Sequence, residues 1–365
     1  MQMQPQRKVL AARAREVSYL SDVSPLMGIV IICSLALLGL LWVKWLPYYH
    51  RALTAFANHS IGHSILTGGA QHPPAVSVQA AFAYAVAYGK AIWQAMLLGL
   101  VLGSALAEFA PPEWIARMLG RSGWRGIATG SFLSIPGMMC TCCAAPVVIG
   151  LRRERATASS AVAFWLGNTL LNPATLVFMG FVLGWRWSAL RLVFGCLIVF
   201  GASYLVKRFA DHDQWTDRGE WRSNQVVKYH PTLGGWFRKF VRLSGGLIPE
   251  YLVLVLLLGA SRAWLFPEFG PQVDNSLSWI LLMSAVGLIF VIPTAGEVPI
   301  VQAMLALGVS AGPAAALLLT LPPVSLPSLV MTKRVFSARV LSLVVGATLI
   351  AGSLAGFAAV VLGYS

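Results

Sequence analysis

Charged side chains are scarce in this chain of 365 residues. They make up only 11% of it, whereas a soluble domain carries about 25%. Carboxylates are the scarcest, with 13 Asp and Glu against 27 Lys and Arg. Hydrophobic residues make up 57% of the chain, so there is too little polar surface to cover a soluble core. The composition excludes an ordinary soluble protein and indicates an all-α, polytopic membrane protein.

Two other features are missing. The chain contains no Gly-x-x-x-x-Gly-Lys loop for ATP phosphates, so any transport would draw energy from an ion gradient or a partner. It has only five cysteines, and three of them fall within the four-residue stretch CTCC. This distribution is not that of a secreted protein held together by disulfides.

The apolar residues are gathered into long runs. Seven candidate spans have roughly the 20 apolar residues that a helix needs to cross a bilayer. They cover residues 26–46, 78–109, 156–183, 190–206, 243–266, 312–331 and 340–362. Two more apolar segments, 126–151 and 278–308, are interrupted by proline. The first run is longer than the core of a signal peptide, and we expect it to remain as a membrane anchor.

The net charge of +14 comes mainly from cations in short segments beside these runs. That distribution fits the positive-inside rule and argues against a nucleic-acid partner. It predicts a cytoplasmic N-terminus, an outside loop over 47–77 and a cytoplasmic linker over 207–242. Cations on both sides of 126–151 predict that this segment enters and leaves the membrane on the same face.

The two halves of the chain follow the same order of segments. Each has a span, a proline-broken hairpin, a span with an internal break and a closing span. We predict two inverted-topology repeats with re-entrant hairpins, over 78–206 and 243–365, joined by the linker 207–242. The N-terminal tail, an extra helix and an outside loop fill 1–77. Such repeats are typical of secondary transporters, whose sites lie where broken segments meet near the midplane.

Two motifs resemble a known family. "CTCCAAPVVIGL" and "AVAFWLGNTLLNPATLVF" resemble the Cys-x-Cys…Pro and Leu-Asn-Pro signatures of a bacterial predicted-permease family. "IPTAGEVPIVQAML" and "SLPSL" resemble its elements in the second half. The family is similar to the ArsP-type permeases, which export trivalent organoarsenicals by means of cysteine thiols. The resemblance implies a multi-pass permease of the bacterial inner membrane.

By this resemblance the family's paired cysteines fall on Cys140 and Cys142, its asparagine on Asn172 and its acidic residue on Glu297. The chain departs from the pattern at three points. Thr141 replaces the usual serine, Cys143 is additional, and Glu297 stands where the family more often has two acidic residues. The missing carboxylate weakens the implied role in ion coupling.

Thiol chemistry gives Cys140, Cys142 and Cys143 a candidate function. Soft centres such as trivalent arsenic, Cu(I) or Hg(II) prefer sulfur ligands. Irregular backbone near Pro136 would let all three thiols converge. Two alternatives stay open: the cysteines only pack as small apolar residues, or Cys140 and Cys143 form a redox Cys-x-x-Cys pair.

Three polar residues near the breaks complete the candidate substrate site. An acid inside a bilayer is costly and generally faces a cavity, so Glu297 is a candidate for proton coupling or gating unless its hairpin is shallow. Asn168 and Asn172 flank the break at Pro173, where they either bind a polar group or only cap the helix.

The prediction is therefore a permease, not an enzyme, that exports a small thiophilic solute such as a trivalent organoarsenical. The alternative is a membrane thiol-disulfide oxidoreductase or electron carrier using Cys140 and Cys143. We predict no cofactor and no resident metal site, since His59, His63 and His72 have poor ligand spacing. The expected partners are the solute and the lipid bilayer. Small-residue spacing permits a homo-oligomer without requiring one.

Overall fold

A computed structural model describes residues 25–62, 77–120, 123–210, 231–265 and 270–364. All regular structure in these ranges is helical, which confirms the all-α prediction. Six helical segments there are long and apolar enough to cross a membrane. They are Leu26–Asn58, Val78–Phe109, Ala158–Val182, Trp185–Phe209, Leu233–Ala260 and Ala338–Val361. The protein is thus a multi-pass membrane protein.

The first helical segment is longer than the sequence suggests. Helix α1 covers Pro25–Leu40, a π turn covers Leu41–Trp45, and α2 covers Leu46–Asn58. We expected an outside loop over 47–77, because this stretch carries very few cations. Pro47 would also clash with the carbonyl four residues earlier in a regular helix. The π turn widens the backbone just before it, with the N–H of Leu46 bonded to the oxygen of Leu41. The chain therefore stays helical to Asn58.

The helices of the first half follow in order. They are α3 (Val78–Phe109), α4 (Pro112–Met118), α5 (Trp124–Ser134), α6 (Thr141–Arg153), α7 (Ala158–Leu170), α8 (Pro173–Val182) and α9 (Trp185–Phe209). Those of the second half are α10 (Leu233–Leu265), α11 (Leu277–Ile289), α12 (Glu297–Ala306), α13 (Ala311–Thr320), α14 (Leu326–Thr332) and α15 (Ala338–Val361). Because α10 begins at Leu233, the end of the predicted linker is helical.

Helix breaks occur in all four places that the prolines predict. The segment 126–151 breaks between α5 and α6, and 278–308 breaks between α11 and α12. The segment 156–183 breaks before Pro173. Residues 312–331 form α13 and α14 rather than one span, since Pro322 and Pro323 lie between them. A proline inside a helix removes a hydrogen bond and crowds the preceding turn.

Glycines let α3 approach α6 very closely. A Cβ atom on Gly99 would lie 2.2 Å from the carbonyl oxygen of Cys143, and one on Gly103 would lie 2.3 Å from that of Pro146. The two glycines are four residues apart and share one face of α3, the small-xxx-small spacing of membrane helix contacts. The cysteine segment is thereby held against a long helix.

The two halves make corresponding contacts with each other. The opening helices α3 and α10 pack together, and so do the closing helices α9 and α15. Helix α6 of the first half packs on α14 of the second, while α12 of the second packs on α8 of the first. The broken segments of both halves therefore meet in the interior.

Candidate functional site

The three clustered cysteines converge at the start of α6. A 3₁₀ turn over Ile135–Gly137 and a left-handed Met138, with φ of 47°, bring the chain into the helix. Cys140 is the extended N-cap residue of α6, so its side chain turns towards the first helical turn. Its Sγ lies 3.1 Å from Sγ of Cys142 and 2.8 Å from Sγ of Cys143. All three sulfurs lie within 4.8 Å of one another.

Two tyrosines from the long helices surround Cys142. The hydroxyls of Tyr88 on α3 and Tyr251 on α10 each lie 3.6 Å from its Sγ. Tyr88 also donates to the carbonyl of Ile292 at 3.2 Å, and Tyr84 donates to that of Val291 at 2.8 Å. Helix α3 thus satisfies carbonyls freed by the break between α11 and α12, and it holds that break beside the thiols. Sequence reasoning missed these tyrosines, which look like ordinary apolar-face residues.

A cavity of about 200 Å³ opens beside the cluster. Its polar lining comes from the N-terminal segment, from α3, from α6 with its N-cap and from the break between α11 and α12. The lining includes Cys140, Cys143, Thr294, Lys44, Tyr48, Arg51 and Gln94. Sulfur, hydroxyl, amide and cationic groups therefore face one space, while no carboxylate is among the described residues that line it.

Lys44 is buried inside this cavity wall, with only 5% of its surface exposed. It lies in the π turn, and its Nζ donates to the Tyr48 hydroxyl at 3.1 Å and to Oγ1 of Thr294 at 3.4 Å. The neighbouring Trp45 donates from Nε1 to the carbonyl of Pro136 at 3.0 Å. These bonds attach the N-terminal segment to the break between α5 and α6 and to the break between α11 and α12. The sequence had indicated only an edge lysine near a loop.

Glu297 begins α12 and is paired with a cation from another helix. Its Oε1 accepts a hydrogen bond from Nη1 of Arg191 on α9 at 2.5 Å, and both side chains are at least 98% buried, with 1% and 2% exposed. Nη2 of Arg191 donates to the carbonyl of Thr169 at 2.8 Å, just before the break between α7 and α8. Arg191 was missed because it lies inside the predicted span 190–206. The sequence signal for Arg191 is Glu297 itself, because an acid inside a membrane generally pairs with a cation.

The ion pair adjoins the thiols across a second, very small space. Its volume is about 10 Å³, about the least that admits one water molecule. Glu297, Cys140 and Thr175 line it together. Cys140 therefore faces both the larger cavity and the space beside the ion pair.

The two predicted asparagines take different positions near the break between α7 and α8. Oδ1 of Asn172 accepts bonds from the N–H groups of Ala174 and Thr175, at 3.0 and 3.2 Å, so it caps α8. Nδ2 of Asn168 donates to the carbonyl of Phe164 at 3.0 Å. Among the described atoms, Nδ2 of Asn172 and Oδ1 of Asn168 have no partner. Capping explains only half of the Asn172 amide, and the bond of Asn168 to Phe164 lies within α7 and explains only half of its amide.

The remaining cysteines and histidines lie apart from the cluster. Cys33 is exposed and Cys196 is partly buried. His59 ends α2, and its Nδ1 lies 2.8 Å from the carbonyl oxygen of Phe181. His63 and His72 lie outside the described residues. In the described part of the chain, only the Cys140 cluster brings three metal-ligand side chains together.

Taken together, six apolar spans, helices broken in the interior and a buried polar cavity define a multi-pass membrane protein of the permease class. Comparison with known proteins agrees. Residues 76–361 match the model of the ArsP_1 family, described as "Predicted permease". The chain belongs to this family.

Two relatives cover most of the chain. It is 46% identical over 322 residues to UPF0718 protein YraQ of Escherichia coli strain K12, covering 87% of this chain and 90% of that protein. It is 21% identical over 334 residues to UPF0718 protein MJ0584 of Methanocaldococcus jannaschii, covering 73% and 90%. No solved structure matches the chain.

Proposed function

We propose that the protein is a secondary transporter that exports a small thiophilic solute, with trivalent organoarsenicals as the leading substrate class. The observation that supports this most directly is the convergence of three buried thiols within 4.8 Å beside a cavity of about 200 Å³. Soft centres prefer sulfur over water or carboxylate. Two or three thiolates at this spacing can ligate one such centre.

The proposed path lies between two inverted repeats, each with a re-entrant hairpin. The support is the corresponding packing of the two halves, in which α6 contacts α14 and α12 contacts α8. Irregular backbone at membrane depth is tolerated where protein or a water-filled cavity covers it. The break between α5 and α6 and the break between α11 and α12 satisfy this condition, because Cys140 and Thr294 line the same cavity.

We further propose that Glu297 gates or couples transport through Arg191. Buried ions are stable only while they are paired, so a change in the charge of Glu297 would release Arg191 and the Thr169 carbonyl that it holds. Asn168 and Asn172, with their unpartnered polar atoms, would offer solute contacts at the same break. The cations of the N-terminal tail, Arg7, Lys8, Arg13 and Arg15, support an N-terminus inside, in a bacterial cytoplasmic membrane.

Transport assays with matched cysteine variants test this function. We would measure uptake of methylarsenite into everted vesicles for the wild type and for Cys140→Ser/Cys142→Ser/Cys143→Ser, with Cys33→Ser/Cys196→Ser as the control. We expect gradient-dependent accumulation that the triple variant loses and the control retains. Accumulation that survives in the triple variant would make the cluster a packing feature and refute thiol-mediated export.

The approach of Cys140 to Cys143, with 2.8 Å between the sulfurs, favours one second candidate, a membrane thiol oxidoreductase. In that case the two thiols would form a disulfide and pass two electrons and two protons to a quinone or a disulfide. Trapping of thiols with a maleimide in intact cells distinguishes the two functions. A Cys140–Cys143 disulfide that turns over with respiratory state supports the oxidoreductase, and persistently reduced thiols exclude it.

A further inference from the structure

Among the described residues, no carboxylate pairs with the charge of Lys44. The side chain is 95% buried, and its partners are two hydroxyls, of Tyr48 and Thr294. The described ion pairs involve other cations: Arg191, Lys239 and Arg334. A buried ammonium without an anion is strongly unfavourable. Something negative should therefore reach this position when the protein works.

The cavity offers that anion a place beside the thiols. Lys44 and Arg51, seven residues apart and on one face of the N-terminal segment, both line it. Cys140 and Cys143 line the opposite part of the same space, and no described lining residue is acidic. An incoming molecule meets two cations and two sulfurs at once.

We infer that the transported solute carries a negative charge as well as a soft centre: the anionic group binds at Lys44 and Arg51 while the soft atom binds the cysteine sulfurs. This inference rests on the proposed function and specifies its substrate class. A thiophilic solute bearing a carboxylate or an oxyanion matches both halves of the cavity. A neutral thiophile uses the sulfurs alone and brings no charge of its own to Lys44.

The cationic half of the site comes from outside the region that the family model matches. That match begins at residue 76, whereas Lys44 and Arg51 belong to the N-terminal segment Leu26–Asn58. The π turn places Lys44 in the cavity wall, and π turns are frequent at functional sites. The added helix is thus an element that selects the solute by charge, attached to a thiol site within the family's common part.

Two matched probes separate charge from thiophilicity. Phenylarsine oxide is neutral, and its 4-carboxy derivative has the same trivalent arsenic with one negative charge. Equilibrium binding of each probe to the purified full-length protein would be measured for the wild type, Lys44→Met and Lys44→Arg. Lys90→Met, at an exposed lysine of α3, is the matched control.

We expect the wild type and Lys90→Met to bind the carboxylated probe at least about tenfold more tightly than the neutral one, since hydrogen bonds to charged groups are worth that much. Lys44→Met should lose this preference while its affinity for the neutral probe stays within about twofold. Lys44→Arg should retain the preference. The unchanged neutral affinity also shows that the variant is folded.

The outcomes distinguish this inference from the proposed function. Equal binding of both probes by the wild type overturns the charge preference. Equal weakening of both probes in Lys44→Met also overturns it, because Lys44 would then only support the thiols. If Cys140→Ser/Cys142→Ser/Cys143→Ser bound both probes as tightly as the wild type, this would instead refute thiol ligation, whatever the charge preference.

Discussion

Neutralising either member of the Arg191–Glu297 pair should destabilise the protein far more than neutralising both. The two side chains are at least 98% buried and bonded at 2.5 Å. Removing one partner leaves the other charge buried and unpaired, which costs about 3–5 kcal/mol. Replacing both with neutral groups of similar volume is often close to neutral in free energy. The structure therefore predicts strong coupling in a double-mutant cycle.

The cycle consists of Glu297→Gln, Arg191→Met and the double variant. Each single variant should lower the folded-to-unfolded ratio on the order of 100-fold, equivalent to about 3 kcal/mol. The double variant should recover most of that loss, although the Thr169 carbonyl would then lack its donor. Thermal unfolding of the detergent-purified protein, followed by size-exclusion chromatography, ranks the four forms.

A surface pair provides the comparison. Arg334 and Glu250 are bonded at 2.7 Å, but 36% of each side chain is exposed. Exposed pairs contribute about 0–1 kcal/mol, so Glu250→Gln should change stability little. If the double variant at Arg191 and Glu297 were as unstable as the sum of its singles, the two residues would not act as a buried pair.

Three further predictions concern other parts of the fold. Asn172→Ala should cost about 1 kcal/mol by removing the cap of α8, whereas the neutral capping residue in Asn172→Ser should retain it, and thermal unfolding of both variants measures the difference. Gly103→Val should abolish the close contact of α3 with α6 and lower the folded yield, while Gly89→Ala, with nothing near its Cβ position, should not. Burial raises the pKa of Glu154, in the loop after α6, to about 7, opposed mainly by Lys239. The raised pKa means that the folded state binds the proton more tightly, so stability should fall as pH rises from about 4.5 to 7, and Glu154→Gln should flatten that part of the unfolding curve.

The sequence alone allowed prediction of features that depend on local chemistry. Hydropathy located the spans because a helix needs a fixed length of apolar chain to cross a membrane. Proline located the breaks because it removes a backbone donor. Irregular backbone near Pro136 allowed the three cysteines to converge, and a helix cap was one of the two roles open to Asn172 before Pro173. All these signals act within a few residues of the feature that they predict.

Features that depend on distant parts of the chain were not predictable in the same way. Arg191 and Glu297 are 106 residues apart, and Lys44 and Thr294 are 250 residues apart. No local pattern says which helices will meet. Lys44 was predicted only as an edge residue of the first span, because the helix was expected to end before Pro47, whereas the chain continues through a π turn to Asn58. The cationic half of the cavity could therefore be found only in three dimensions.

The position of Cys140 between the two spaces links solute binding to the ion pair. A thiol that ligates a soft centre gives up its proton, and no described residue lining the larger cavity has a carboxylate to accept it. The nearest carboxylate available on the other side of Cys140 is Glu297, across the space of about 10 Å³. When the soft centre is Hg(II), added as HgCl2, each sulfur that binds replaces a chloride and each thiol loses a proton, so we expect Glu297 to receive one of these protons and release Arg191. A hydroxylated arsenical or an arsine oxide instead takes up the thiol protons as water, so the released protons are counted on binding of HgCl2, with a pH-sensitive dye in weak buffer. Wild-type protein should release fewer protons to solvent than Glu297→Gln, and equal release would show that the thiol protons leave by another route.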